Sequence, residues 1–287
     1  MSLNRFSPWW MALAILAALV GRAQAEDIGR HSPFIEPNAF DPDFQWFAPP
    51  DIGGYGTGPK PNTGFYFTYD RTHFNVTRAE AAPRPFDGDA TWGNRISFGF
   101  MTEEDHGWMA ELTAIRGPNL RAIPDDPTSD PVNVAKASGF EIDKSWRLDP
   151  LHGGGIIEPF IGVRFFQFTD FTDETNTIEN TLLGGQVGFR WYKKTGAWVL
   201  SNETRFYAAQ NWVFSGDGDF SEFVPAGDIR FEAAYELSRE VAIRVGWQLL
   251  WLGDGIHRGD PSVAAAPDLS AQDVLMTGLT FGFTVNR

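Results

Sequence analysis

Apolar and polar side chains alternate with a period of two over long stretches of this chain, and this pattern most limits the folds open to it. In residues 241–252, for example, Val241, Ile243 and every second residue after them are apolar, while Arg244 and Gln248 lie in the opposite register. A strand places alternate residues on one face, whereas helical spacing would scatter them around an axis. The pattern therefore predicts an all-β fold.

The alternation predicts about ten strands, most of them about ten residues or longer, whereas typical soluble strands have about five or six residues. The mature sequence has no run of the roughly eighteen apolar residues that a membrane helix needs, so any insertion into a membrane would be by strands. The predicted strands cover residues 63–77, 92–101, 107–116, 138–148, 157–168, 180–192, 197–208, 227–237, 241–252 and 274–286.

The connections between these strands alternate between long and short. An up-and-down barrel in an outer membrane has this arrangement, with short periplasmic turns and long outer loops, whereas the crossovers of a soluble sandwich do not make every second connection tight. We therefore predict an up-and-down antiparallel transmembrane β-barrel of about 10 to 12 strands. The short connections are 102–106, 149–155, 193–196 and 238–240, and the long ones are 78–91, 117–137, 169–179, 209–226 and 253–273.

The N-terminus has the features of an export signal. Arg5 precedes an apolar stretch from Trp9 to Val20, and the following Ala23-Gln24-Ala25 has the small-x-small form of a signal peptidase site. At about 1.5 Å per residue the apolar stretch is too short to cross a bilayer. We therefore expect residues 1–25 to be a signal peptide cleaved near Ala25. Residues 26–61 are rich in proline and aromatic residues and are expected to form a periplasmic lead-in to a barrel at 62–287.

Composition excludes several kinds of function. With 37 acidic and 23 basic residues the formal net charge is -14, which disfavours a nucleic-acid partner because phosphate binding needs a basic surface. The chain has no cysteine, so it has no disulfide framework, no thiolate zinc site and no cysteine nucleophile. No cofactor is expected, and the partners expected of such a barrel are outer-membrane lipids and the outer-membrane assembly machinery.

Three sequence stretches resemble a known family. "GVRFFQF" at 162–168, "LLGGQVGFRW" at 182–191 and the closing "TGLTFGFTVNR" at 277–287 are similar to beta-barrel porin family 7, a group of predicted outer-membrane barrels. The resemblance implies a fold and an outer-membrane location, and its name suggests porin activity, but it supplies no functional residues. Outer-membrane barrels commonly end on an aromatic residue, whereas this chain continues for four residues after Phe283.

One row of each strand in such a barrel faces lipid and the other faces the lumen. We expect the aromatic rows to face lipid and the charged rows to face the lumen, with Trp and Tyr near strand ends forming two interfacial girdles. The girdle candidates are Trp92, Trp108, Trp146, Trp191, Trp198 and Trp251. The candidate lumen-lining residues are Arg95, Glu111, Glu141, Asp143, Arg147, Arg164, Arg190, Glu203, Arg205, Asp228, Arg230, Glu232 and Arg244.

Two segments leave the orientation of their side chains open. Arg164 shares a register with Phe160, Phe166 and Phe168, so either these phenylalanines enter the lumen or a β-bulge resets the face. In the first strand the alternation follows one phase up to Asp70 and another from Arg71 onward, which predicts a change of phase near these two residues.

The inward charges are nearly balanced in sign, and this leaves two functions open. Barrels of about eight strands are filled by side chains, whereas porins of about sixteen strands leave a channel, and ten strands lie nearer the filled end. Ion pairs that close the lumen would make a structural or adhesive surface barrel whose loops bind a partner. Charges that line an open lumen would make a narrow passive pore for small hydrophilic or ionic solutes.

The long loops are acidic, and the histidines are scattered. The five predicted loops hold seventeen acidic and five basic residues, and such a rim can attract divalent cations. The segment 215–222 has closely spaced carboxylates but lacks the EF-hand pattern. The chain has no H-E-x-x-H and no G-x-S-x-G motif, so a lipid-modifying enzyme is the least favoured function and no catalytic residue is expected. The five histidines are His31, His73, His106, His152 and His257.

Overall fold

The computed structural model describes residues 63–77, 90–116, 120–121, 132–133, 135–171, 177–215, 218–258 and 270–286. The predicted signal peptide at 1–25 and the predicted lead-in at 26–61 lie outside these residues. Across the described ranges, no helix is long and apolar enough to cross a membrane.

Ten long strands form a closed antiparallel barrel, which confirms the predicted fold class. Each strand pairs with its neighbours along the chain, and the first strand pairs with the last to close the cylinder. A separate two-stranded ribbon, β4 (Leu120–Arg121) and β5 (Val132–Asn133), lies in the connection between β3 and β6. The barrel strands are β1 (Gly64–Val76), β2 (Ala90–Met101), β3 (His106–Ile115), β6 (Ala135–Trp146), β7 (Gly155–Phe171), β8 (Thr177–Thr195), β9 (Trp198–Ser215), β10 (Gly218–Glu236), β11 (Val241–Arg258) and β12 (Ser270–Asn286).

Four connections lie at one end of the barrel, which we call the short-turn end, and the other end is the long-loop end. These connections are 102–105, 147–154, 196–197 and 237–240. The tightest joins β8 to β9, where Gly196 adopts a φ of 60° in a two-residue loop. Glycine reaches this backbone conformation without a Cβ clash, and it starts the type II′ hairpins whose twist matches the flanking strands.

Strand pairing extends well into three of the predicted loops. The prediction of a long loop at 209–226 is wrong, because β9 continues to Ser215 and pairs with β10 from Gly218 onward. Likewise, most of 169–179 belongs to β7 and β8, and β11 extends to Arg258 across a bulge between Leu252 and Ile256. Glycine, proline and polar residues on both faces made these segments resemble loops in sequence, but the backbone ladder does not depend on side-chain polarity.

The first strand keeps one phase throughout, so the predicted change of phase near Asp70 is wrong. Its pairing with β12 is unbroken from Tyr66 to Val76, and even-numbered residues lie inside along this whole stretch. The sequence misleads here because Arg71 and His73 lie on the outer face, while Phe74 and Val76 lie inside.

The outer face of every barrel strand carries large apolar side chains. Large apolar side chains that are buried in most proteins are exposed here, among them Phe206 at 62% and Phe223 at 63%. Monomeric soluble proteins rarely expose contiguous apolar patches beyond a few hundred Å². All six girdle candidates lie on this face, with Trp108, Trp146, Trp198 and Trp251 exposed and Trp92 and Trp191 half-buried.

Candidate functional site in the barrel lumen

Side chains fill most of the interior in layers that follow one another along the barrel axis. An apolar cluster, here called the apolar plug, occupies the long-loop half, a charged layer occupies the middle, and a polar vestibule opens toward the short-turn end. The plug draws residues from nine of the ten barrel strands: Phe74, Val76, Ile115, Ala137, Phe166, Phe168, Leu182, Tyr207, Ala209, Val224, Ala226, Leu250, Leu252, Ile256, Val274 and Met276.

Phenylalanines from β7 enter the lumen, which corrects the expectation that aromatic residues face lipid. Phe160, Phe166 and Phe168 are 3%, 1% and 0% exposed, on the same row as Arg164. The registers of β7 with β6 and with β8 are unbroken along this stretch, so no bulge resets the face. The outer row holds Phe165 and its neighbours instead. Large rings enter because the inner wall of a ten-strand barrel leaves space that must be filled by side chains.

Twelve of the thirteen candidate residues lie on the inward rows of their strands, and Arg147 directly follows β6 on the inward side. Glu203, Glu232 and Arg244 are half-buried, and the other ten are buried. Twelve of them belong to the charged layer or border it. Arg147 lies apart near the short-turn end, where its Nε donates to Glu158 at 2.7 Å and its Nη1 donates to Thr63 at 3.0 Å.

Glu111 on β3 is the centre of the charged layer. Arg230 donates from both terminal nitrogens to its two carboxylate oxygens, at 2.8 and 2.7 Å. Arg95 and Arg205 approach the same carboxylate to 4.0 and 3.8 Å, and the Ser97 hydroxyl donates to it at 3.0 Å. Because three guanidinium groups surround one buried carboxylate, its negative charge is strongly stabilised and the arginines share a single anionic centre.

Arg95 on β2 connects three other strands. It donates from Nε and Nη2 to Asp70 at 3.0 and 2.6 Å, from Nη2 also to Glu232 at 2.7 Å, and from Nη1 to Gln248 at 3.0 Å. Gln248 in turn donates to Asp228 at 3.0 Å. This one side chain therefore links β1, β10 and β11 across the lumen.

A second group of charges borders the apolar plug. Arg164 lies 3.6 Å from both Glu141 and Asp228, and Arg205 also pairs with Glu141. The guanidinium of Arg164 lies 4.8 Å from the centre of the Tyr207 ring. The aromatic ring contributes a cation–π contact, so Arg164 joins the charged layer to the plug.

Every lumenal arginine has a carboxylate partner within 4.0 Å. Arg190 pairs with Glu203 and also donates to the Tyr66 hydroxyl across the barrel at 3.2 Å, while Arg244 pairs with Glu232. Burying a charge costs several kcal/mol unless it is paired and hydrogen-bonded. Removal of any one member of this layer would therefore leave a buried charge unpaired and destabilise the barrel.

Several members of the layer were not among the sequence candidates. Asp70 was missed because the alternation predicts a change of phase beside it, and Gln186 and Gln248 were missed because they are uncharged. Gln186 donates to Asp143 at 2.6 Å, and Lys194 donates to Glu236 at 2.8 and 2.6 Å. Membership of the inward row was the signal that could have identified them.

The vestibule at the short-turn end is a cavity of about 510 Å³. Its inner wall is the charged layer, including Glu111 and Arg230, and its outer wall includes Lys194, Glu236 and Asn286. Its lining carries charges of both signs, and several of them are paired with one another.

A small polar layer lies beyond the plug, at the long-loop end. Asn211 donates to Asn180 at 2.9 Å and to the Gly255 carbonyl at 2.7 Å, and Asn180 bonds both backbone groups of His257 at 2.8 Å. The His257 ring lies 3.3 Å from a Glu222 carboxylate oxygen. These bonds hold the bulged end of β11 against its neighbours.

The candidate cation segment 215–222 is only partly described. Asp217 and the side chain of Asp219 lie outside the described side chains, while Glu222 belongs to β10. In the part of the chain that the structure describes, no three His, Asp or Glu side chains form a group that could hold a metal ion. The other described histidines lie in different places: the His73 ring contacts the Trp92 ring at an interplanar angle of 57°, His106 contacts Thr102, and His152 is exposed in a turn.

Three solved structures illustrate the proteins to which this chain is similar. Neisserial surface protein A is 13% identical with a TM-score of 0.35, over 78% of this chain and 98% of that one. The outer membrane protease OmpT of Escherichia coli is 9% identical with a TM-score of 0.48, over 81% and 100%. Outer membrane phospholipase A of Escherichia coli is 10% identical with a TM-score of 0.30, over 75% and 92%.

These similarities carry no inference about activity, because the identities and TM-scores are low. No protein-family model matches the sequence, and no curated protein matches it. Membership of beta-barrel porin family 7 therefore stays a prediction.

Proposed function

We propose that this protein is an outer-membrane β-barrel with a closed lumen, which serves as a surface barrel whose outer loops contact a partner. One observation carries the proposal: the molecule is apolar outside and charged inside. Exposed rings such as Phe206 and Phe231 cover the outer face, while Arg95, Arg205 and Glu111 are 1% to 2% exposed inside. This inverts the usual distribution of a soluble protein and fits a barrel surrounded by lipid.

The height of the apolar surface supports a membrane location. On β2, eight residues separate Trp92 from Phe100, which pairs with Trp108 near the short-turn end. At about 3.4 Å per residue and a tilt of about 40°, these two rows of rings are about 20 Å apart along the barrel axis. An outer-membrane barrel has an apolar band about 25 Å tall between two aromatic girdles. The short turns would then face the periplasm and the long loops the exterior.

The filled lumen supports the closed form. The apolar plug contains side chains with 0% exposure, such as Phe168 and Leu252, and offers ions few polar groups to replace their water. In the charged layer next to the plug, the arginines pair with carboxylates across the lumen, and several arginines share the same carboxylate. A solute would have to break several buried ion pairs and then displace an apolar layer.

The narrow passive pore stays as a second candidate because of the vestibule. This cavity reaches from the short-turn end to the charged layer, so a polar solute could approach that layer from this side. Movement of the plug would then complete a path. The acidic outer loops are the proposed contact surface for a partner or for divalent cations, and insertion by the outer-membrane assembly machinery is part of the same proposal.

Two measurements test the proposed function. The protein should fractionate with outer membranes, and the folded barrel should migrate differently from the heated one on detergent gels. In planar bilayers the purified barrel should give no discrete conductance steps. Regular steps would support the narrow pore instead, and recovery of a folded, detergent-free soluble monomer would contradict both candidates.

A further inference from the structure

Among the described residues, the outer face of β1 carries a cationic cluster that the barrel itself does not explain. Tyr69, Arg71 and His73 follow one another on the outer row of β1, opposite Trp92 and Asn94 on β2. We call these five residues the Arg71 cluster. Elsewhere along β1 the outer row near the short-turn end is apolar, with Phe65 and Phe67 exposed.

The members of this cluster hold one another in place. Asn94 Oδ1 accepts hydrogen bonds from the Tyr69 hydroxyl at 2.8 Å and from Arg71 Nη1 at 2.9 Å. The Arg71 guanidinium lies 5.2 Å from the centre of the Trp92 ring. The centre of the His73 ring lies 4.5 Å from the centre of the same ring. The guanidinium is therefore oriented by a hydrogen bond and by an aromatic face.

Arg71 differs from the lumenal arginines in its lack of an anionic partner. Each lumenal arginine has a carboxylate within 4.0 Å, but no carboxylate of the described residues pairs with Arg71. Its one described hydrogen bond uses a single N–H out of the five that a guanidinium carries. A charge on the lipid face is costly unless it reaches the interface or binds a counter-charge.

The position of the guanidinium matches the level of lipid headgroups. Arg71 is paired in register with Asn94, but its guanidinium lies over Trp92, which is one outer row nearer the long-loop end. A long cationic side chain turns in this way to bring its charge out of the hydrocarbon. Trp92 belongs to the girdle on the long-loop side, where the headgroups of the outer leaflet would lie.

A second arginine lies on the other side of Trp92. The backbone N–H of Arg116 donates to the Trp92 carbonyl at 3.0 Å, so His73, Trp92 and Arg116 follow one another across three strands. Arg116 is exposed. Arg71 and Arg116 therefore lie to either side of Trp92 in the strand order, and two guanidinium groups that reach one phosphate are suited to it, because its oxygens accept several charge-assisted hydrogen bonds at once.

We propose that Arg71 and Arg116 bind the phosphate of an outer-leaflet lipid, with Trp92 between them against the lipid. This site rests on the proposed membrane location, and it adds a ligand class to it. The chemistry required is an anionic phosphate headgroup on a membrane-anchored molecule, and the interfacial position of the cluster favours a lipid over a free anion.

Native mass spectrometry of the purified barrel, released from detergent that contains a defined lipid, tests the site. Dioleoyl phosphatidic acid supplies the phosphate monoester, and dioleoyl phosphatidylcholine is the zwitterionic comparison. We expect the natural chain to retain phosphatidic acid in preference, and Arg71→Gln to weaken its binding about tenfold. Arg71→Lys should keep part of the affinity, since it keeps the charge but loses the planar donor geometry.

Arg239→Gln is the matched control, because Arg239 is an exposed arginine in the β10–β11 turn at the opposite end. It should leave retention of phosphatidic acid unchanged. Equal retention by the natural chain and by an Arg71→Gln, Arg116→Gln double variant would overturn the proposal. So would inorganic phosphate at millimolar concentration that displaces the lipid completely, since that result indicates a free-anion site.

Each variant is first checked for heat-modifiable migration, so that loss of folding is not mistaken for loss of binding. If Arg71→Gln does not fold, retention of phosphatidic acid is compared among the natural chain, Arg71→Lys and Arg116→Gln in the same assay. Weaker retention by these variants would support the proposal, and equal retention by all three proteins would overturn it. Failure of the proposed function has a different signature, because the natural chain would then be absent from the outer-membrane fraction.

Discussion

Arg230 and Glu111 face each other across the full width of the barrel. Arg230 lies on β10 and Glu111 on β3, five positions apart in a ring of ten strands, and two hydrogen bonds of 2.8 and 2.7 Å join them. The pair therefore connects opposite walls directly, with Arg95 and Arg205 beside it. A lumen crossed at its centre by such a contact is held closed by electrostatics as well as by packing.

Replacing Glu111 by alanine should destabilise the barrel strongly. Three arginines would lose their shared carboxylate, and removal of one partner from a buried ion pair costs about 3–5 kcal/mol. The free energy of unfolding in detergent micelles, measured by urea titration with tryptophan fluorescence, checks this value. Glu103→Ala, in an exposed turn, is the control and should change it by less than about 0.5 kcal/mol. Equal effects of the two substitutions would exclude a central role for Glu111.

Phe168→Ala should leave a cavity in the apolar plug. Phe168 is 0% exposed, and truncation of a buried phenylalanine costs about 3–5 kcal/mol. The neighbouring Phe165 lies on the outer row, so Phe165→Ala should cost clearly less in the same titration. The reverse order would mean that this stretch of β7 is turned the other way round.

The free-energy cost of placing a lysine on the apolar outer face should depend on its depth in the membrane. Phe206 is 62% exposed in the middle of β9, and a lysine at the bilayer midplane costs about 2–4 kcal/mol. Trp212 lies six residues nearer the long-loop end on the same row, where a lysine costs about 0–1 kcal/mol. Unfolding of Phe206→Lys and Trp212→Lys in lipid vesicles measures the difference. Two equal costs would contradict the proposed position of the membrane.

The inward glycine at 162 should not tolerate a side chain. A Cβ there would clash with the Ile142 carbonyl and with the Asp143 carboxylate, which accepts a hydrogen bond from Gln186. Gly162→Ala should therefore cost about 1–3 kcal/mol, as overpacking does. Gly185→Ala on the outer row is the matched control, because its nearest neighbour would be 4.0 Å away. Circular dichroism melts of the two variants in detergent should separate by several degrees, and coincident melts would refute the packing argument.

The architecture could be predicted from the sequence because it depends on a regular pattern. Alternation in segments such as 241–252 identified ten strands, and the alternating connection lengths indicated their order. Both signals are local and repeat along the chain. The boundaries were less accurate where the strands leave the apolar belt, as in 209–226, because polar residues are acceptable there on both faces of a strand.

The contents of the lumen were harder to predict, because they depend on pairs between distant strands. The sequence placed Arg230 and Glu111 on inward rows but could not show that they meet, since that depends on barrel diameter and on the height of each strand. The apolar plug was hidden for a related reason. Phe166 and Phe168 look like lipid-facing residues until their register with Arg164 is given more weight than their chemistry.

The contacts of Arg95 have a consequence for how the cylinder comes together. Its partners Asp70, Glu232 and Gln248 are drawn from the beginning and from the last third of the chain, at sequence separations of 25, 137 and 153 residues. An incomplete sheet that lacked β10 and β11 would leave this cation short of two partners. Closure is therefore expected to be cooperative and late, with the final strands completing the electrostatic balance that the first ones begin.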